Sequence, residues 1–141
     1  MAVRTKELAQ ALDTAEDWVG AFVHLLGWHD RDRAFAAMVA ALHGLRDSLP
    51  SDEAVYIGSY LPDALRGHYY EGWHPAGRTL PLSSREAVLE RIRDALHRDP
   101  GVDAEQVCRA LFSLLTARLP QSEVENARAV TPAELHALWP A

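Results

Sequence analysis

A Leu-Pro step, followed by a glutamate, a second proline and a leucine, occurs twice in this chain. The two occurrences are seventy residues apart. Leu49-Pro50 is matched by Leu119-Pro120, Glu53 by Glu123, Pro62 by Pro132 and Leu65 by Leu135. Laid at that offset, residues 14–69 and 84–139 align without a gap, with ten identities among fifty-six positions. Apolar positions exchange in register: Phe22 with Ile92, Leu42 with Phe112, Tyr69 with Trp139. A fixed-offset echo of this kind marks a repeated supersecondary unit. Neither unit has enough apolar surface of its own to form a core, so the two are expected to pack face to face around a pseudo-twofold axis.

Within each unit the apolar period is helical. Trp18, Phe22, Leu25 and Leu26 form one stripe, and Phe35, Met38, Val39, Leu42 and Leu45 form the next. The second unit repeats the pattern with Val88, Ile92 and Leu96, then with Val107, Leu111, Leu114 and Leu115, leaving Phe112 near the edge. A short leading helix is expected over residues 3–12, with Thr14 capping a separate helix after it. Leu49-Pro50 and Leu119-Pro120 stop helices, because proline disfavours helical geometry in the residue before it. Pro50, Pro62 and Pro132 also suit the first turn of the helix that follows. The spacing Ser83 to Glu86, and again Thr131 to Glu134, reads as a capping box. Period-two alternation and hairpin turns are both absent. The prediction is an all-α fold: one domain over 1–141, made of two tandem four-helix units at 14–71 and 83–139, joined by a linker at 72–82 rich in proline and glycine.

Composition narrows the function classes. A formal charge of −6, with basic residues scattered rather than clustered, argues against a nucleic-acid partner. The single cysteine, Cys108, has no internal disulfide partner and sits where Met38 sits in the first unit, as a small core residue would. No stretch approaches a membrane span, and the first residues turn acidic quickly, so a cytoplasmic protein without membrane attachment is expected.

Motifs for catalysis are missing. The seven histidines include no pair at i, i+3 or i, i+4, the spacing that a helical zinc site needs. No Gly-x-Ser-x-Gly elbow, phosphate loop or dinucleotide fingerprint occurs. The reading assigns no catalytic residue, no metal ligand and no cofactor. The one dense cluster is His68-Tyr69-Tyr70-Glu71-Gly72-Trp73-His74, which combines titratable groups with aromatic surface. Two roles fit it. As a recognition patch, or the edge of a small-molecule pocket, it would offer His68, Tyr69, Tyr70, Glu71, Trp73 and His74 to a partner. As packing, Tyr69 and Trp73 would wedge between the units while Glu71 and His74 face water. The second unit has only Leu138-Trp139-Pro140 there, so any role beyond packing is not duplicated.

The stretch LPDALRGHYYEGWHPAG, with LRDSLPSDEA before it and LSSREAVLERI after it, resembles a bacterial family defined only as domain of unknown function 2267. The resemblance runs from about Thr14 to Trp139. It implies a small, all-helical, two-unit protein, and it brings no catalytic residues and no cofactor. The functional expectation is therefore a non-enzymatic interaction or regulatory module that binds a protein partner or a second copy of itself. The alternative is a small-molecule-binding protein, or an enzyme of unrecognised type, centred on the His68–His74 segment.

Overall fold

The computed structural model describes residues 4–76 and 81–141. Among these the chain forms eight helical segments and no strand, the all-α fold that the sequence predicts. Residues 77–80 of the expected linker, and Val3 of the expected leading helix, lie outside the described residues.

The first helix, α1, is a single rod from Lys6 to Leu26, not two helices. Thr14 does not cap: its hydroxyl donates to the Gln10 carbonyl one turn back, at 3.0 Å. A threonine can satisfy itself this way inside a helix. The downstream stripe of Ala15, Trp18, Val19, Phe22 and Leu26 is buried and carries the helix through. Leu25, expected in that stripe, instead faces outward and is largely exposed. Gly27 ends α1 at φ 71, a left-handed conformation that glycine adopts without a Cβ penalty.

The second helix, α2 (Arg31–Ser48), runs through the middle of the molecule. Asp30 caps it by accepting from the Arg33 amide at 3.0 Å. Ala34, Ala37, Ala40, Ala41 and Gly44 are all buried along it, and these small residues let neighbouring helices come close. A Cβ on Gly44 would stand 3.2 Å from Ile92 Cγ1. Next come α3 (Ser51–Tyr60) and α4 (Asp63–Tyr70), then α5 (Arg85–Ala95), α6 (Ala104–Arg118) and α7 (Gln121–Val130). A closing 3-10 helix covers Ala133–Leu138.

The helix after the linker starts one residue later than expected, with Ser84 accepting from the Ala87 amide at 3.1 Å. The capping box expected at Thr131 does not form. The Thr131 hydroxyl donates back to the Arg128 carbonyl, and Glu134 accepts from the Arg85 amide at 2.7 Å instead. Phe112, expected near an edge, is 1% exposed and stacks on Trp139 with ring centroids 4.1 Å apart. The leucine exchanged for Phe112 is Leu42, and Trp139 stands where Tyr69 stands, so a ring is added beside Trp139 where the first unit has Leu42.

Helices α1, α2, α5 and α6 make the core bundle, with the most extensive contacts between α2 and α5 and between α1 and α6. The short helices lie over it. Helix α4 packs on α1, α2 and α3, the 3-10 helix packs on α6 and α7, and α3 meets α7. The prolines govern these short helices in the same way on both sides. Pro50 and Pro120 are N-caps with φ −56 and −57, and the preceding Leu49 and Leu119 are both extended and buried.

Two side chains tie α4 to its neighbours. Arg46 is buried, and its guanidinium donates to the carbonyls of Tyr69 and Glu71 at 2.8 and 2.9 Å while pairing with Asp47. A cation is favourable at that end of a helix, where unpaired carbonyls collect. Gly58 on α3 leaves room for the ring of Tyr70; an added Cβ would overlap its hydroxyl and Cζ atoms.

Candidate functional site

An open concave surface that reaches the expected segment at His68 lies between α1, α2 and α4, with a volume of about 480 Å³. Its apolar lining comes from Ala15 and Val19 of α1, Phe35 of α2, and Ala64 and Leu65 of α4. The helical period explains the set, since 15 and 19 are one turn apart and share a face. Leu12 continues this face outward and is 44% exposed, and Leu8, one turn further, is 69% exposed. Glu16, Arg31, Asp32 and His68 supply the polar groups. Arg31 reaches across α1 to the Glu16 carboxylate at 2.6 Å and to the Glu16 carbonyl at 3.0 Å. Gly20 leaves space for that guanidinium, which lies 3.3 Å from where a Cβ would be. His68 meets Phe35 edge to face, with ring centroids 5.1 Å apart.

Seventy residues further on, the corresponding positions are filled differently. Ala15 corresponds to Arg85, Phe35 to Glu105 and Ala64 to Glu134. Those three charged residues engage one another. The Arg85 side chain pairs with Glu105, and the Arg85 amide donates to Glu134. Arg109 adds a contact to Glu105 at 3.2 Å and one to the Ala137 carbonyl at 3.0 Å. Where α1, α2 and α4 leave an apolar groove, α5, α6 and the 3-10 helix hold an ion-pair cluster.

The six residues singled out in the sequence point several ways. His68 borders the groove. Tyr69 is buried, and its hydroxyl donates to the Ala54 carbonyl of α3 at 2.6 Å. Burial pushes that phenol well above its ordinary pKa. Tyr70 is half-buried between Tyr69 and Trp73, at 4.9 and 5.4 Å between ring centroids. Trp73 is half-buried as well, and its Nε1 has no hydrogen-bond partner among the described residues. Glu71 and His74 are exposed, and Glu71 contributes its carbonyl to Arg46. The structure thus brings Tyr69, Tyr70 and Trp73 together and sets His68 apart from them.

Several residues with chemical potential were not singled out. Phe35, Ala15 and Ala64 build the groove, and comparing the two halves position by position for charge against apolar character was the signal that would have found them. Glu53 and Glu123 are both buried, although each is an acid in the first turn of a short helix. His43 Nε2 lies 2.7 Å from the His68 carbonyl, and burial lowers its pKa. Burial pushes the Cys108 thiol up to about 12, so it is not a thiolate at neutral pH. Among the described residues no three His, Cys, Asp or Glu side chains gather as metal ligands, and no helix is long and apolar enough to cross a membrane.

These features define an all-helical protein with an open apolar groove between α1, α2 and α4 and a charged cluster at the corresponding positions of α5, α6 and the 3-10 helix. The chain belongs to the family described as "Uncharacterized conserved protein (DUF2267)", whose model matches residues 15–138. None of the curated proteins matches it.

Proposed function

We propose that this chain is a helical interaction module that receives the apolar side of a partner protein's helix in the groove between α1, α2 and α4. One observation carries the reading: the positions that hold an ion-pair cluster around Arg85, Glu105 and Glu134 are Ala15, Phe35 and Ala64 in the groove. A cluster of satisfied charges fills its own site, whereas an apolar groove with exposed Leu8 and Leu12 beside it remains to be covered. Helix-in-groove docking uses this kind of surface, with apolar anchors one turn apart. The acid lining the groove outside the Arg31–Glu16 pair is Asp32, so the matching helix carries Lys or Arg beside its apolar face.

The same comparison supports reading the chain as two copies of one unit, α1–α4 and α5 to the 3-10 helix. The pairing of α1 with α6 corresponds to that of α5 with α2, and α3 with α7 corresponds to itself. Side chains correspond too: Arg66 donates to the Leu61 carbonyl at 2.8 Å, and His136 Nε2 lies 3.2 Å from the Thr131 carbonyl, both residues being seventy apart from their counterparts.

The test is to transplant the charged cluster. A variant with Ala15→Arg, Phe35→Glu and Ala64→Glu fills the groove as the other half is filled. A photo-crosslinker at Leu12 in the otherwise unchanged protein is expected to give discrete protein adducts in extracts of the source cells. The transplant, checked for folding by circular dichroism, is expected to lose them. Adducts that persist unchanged in a folded transplant would sink the proposal.

A second reading has a specific observation behind it. The groove volume of about 480 Å³ is in the range of small-molecule sites, and His68 on Phe35 is a polar group on an apolar wall. Native mass spectrometry of freshly purified protein separates the two readings. A bound small mass that the transplant loses favours this one.

A further inference from the structure

Helices α3 and α7 each carry a glutamate as their third residue, Glu53 and Glu123, and each side chain is turned inward. Glu53 is 9% exposed and Glu123 is 8% exposed. A first-turn glutamate commonly reaches back to the amide of the N-cap residue. Here both N-caps are prolines, Pro50 and Pro120, which have no amide hydrogen to offer. The carboxyls are left free of the helix ends and lie buried where α3 packs on α7, close enough for Glu123 to raise the pKa of Glu53. In each of them Oε1 is buried and has no partner among the described residues. A proton held between the two carboxyls satisfies both sides.

Among the described residues, no counter-charge is committed to the pair. On α3 itself, Asp52 adds a third acid and accepts from the Glu53 amide at 3.0 Å. From α4, the Tyr69 hydroxyl is committed to the Ala54 carbonyl, and the Arg66 guanidinium to Asp63 and the carbonyls of Gly58 and Leu61. From α6, Arg118 is turned to Asp17, and Arg109 to Glu105. From the 3-10 helix, Glu134 accepts from the Arg85 amide, and His136 meets the Thr131 carbonyl. On α7, Arg128 is exposed. Two neighbouring buried carboxylates without a cation cannot both ionise cheaply.

We propose that Glu53 and Glu123 form a proton-operated clasp on the α3–α7 seam, closed while one proton is shared between the two carboxyls and opened when that proton is lost to solvent. Burial, the contact with Glu123 and the nearby Asp52 raise the Glu53 carboxyl from its ordinary value to about 8. The sign follows from linkage. The closed seam binds a proton that a separated glutamate releases near pH 4.5, so the clasp is fully effective below that pH. Its contribution declines as pH rises and is gone once pH passes about 8. Within that window opening releases one proton, so the opening equilibrium rises by up to about tenfold per pH unit.

The experiment uses the whole chain in two measurements. Side-chain carboxyl carbon shifts of ¹³C-glutamate-labelled protein, assigned from the backbone, are followed from pH 4 to 9.5. Amide hydrogen exchange of α3 and α7, corrected for the intrinsic chemical rate and referred to α2, is measured from pH 5 to 8. The expected results are a Glu53 carboxyl that titrates well above pH 6 and an α3–α7 opening constant that rises with pH in the wild type. In Glu53→Gln, which keeps a neutral hydrogen-bonding group, that opening constant is flat. A Glu53 carboxyl titrating below pH 5.5 overturns the clasp, as does an identical pH slope in wild type and Glu53→Gln. Glu123→Gln serves in the exchange measurement if Glu53→Gln does not fold, and the carboxyl titration needs neither variant.

Discussion

The Tyr69 hydroxyl donates to the Ala54 carbonyl at 2.6 Å, from inside a fully buried ring. This bond fastens α4 to α3 at the centre of the aromatic segment. Tyr69→Phe keeps the ring and removes the donor, and it is expected to destabilise by about 1 kcal/mol. Thermal or denaturant unfolding measures the change, and a neutral effect would mean the hydroxyl contributes nothing to holding α4.

Leu49 and Leu119 close α2 and α6 at corresponding positions, and both are buried. Leu49→Ala and Leu119→Ala are each expected to cost about 2–5 kcal/mol, the range for emptying a packed leucine site. Denaturant melts of the two variants check this. A large loss at one site with almost none at the other would argue against equivalent packing of the two halves.

Arg46 is the buried cation of the molecule's first half, spread over the Tyr69 and Glu71 carbonyls and the Asp47 carboxylate. Arg46→Met removes the fork and takes its donors from the Tyr69 and Glu71 carbonyls, at an expected cost of about 3–5 kcal/mol. Arg46→Lys restores the charge without the planar geometry and is expected to recover only part of the loss. Urea unfolding of both variants distinguishes charge from geometry. Equal stability of the methionine and wild-type proteins would remove the role assigned to Arg46.

The pH profile of stability has two opposed arms. Glu53, raised to about 8, contributes stability that fades as pH climbs from 4.5 toward 8. His43 is shifted the other way by burial, so its contribution is present above its ordinary value of 6.5 and fades as pH falls through its lowered value. Melting temperatures are therefore expected to fall on both sides of a maximum. Glu53→Gln flattens the alkaline arm, and His43→Gln, which still offers a side-chain donor to the His68 carbonyl, flattens the acidic arm. A profile unchanged by either substitution would contradict the assignments.

Much of the fold was legible because proline leaves few choices. The bounds of α3 and α7 follow from Pro50 and Pro120, and the lack of period-two patterning excluded strands. Thr14 misled because a cap and a mid-helix threonine look alike in sequence, and only the packing of Trp18 and Phe22 decides between them. Thr131 misled for a related reason: its expected partner, Glu134, is drawn to the Arg85 amide, far away along the chain. The groove was harder to see. His68 was visible as a titratable residue beside aromatics, but Phe35, the ring it meets, lies thirty-three positions earlier on another helix. Glu53 and Glu123 were visible as matched acids, yet an acid in a first turn ordinarily reads as solvated, and nothing local signals that it turns inward.

Arg85 holds Glu105 with its side chain and Glu134 with its backbone amide. Because these charges already satisfy one another, the half that contains them gains nothing when the opposite side is occupied. Occupancy of the groove would slow amide exchange in α1 and α4 while leaving α5 and the 3-10 helix at their resting rates. The molecule would carry its own internal control, a quiet half against which the responsive half can be measured.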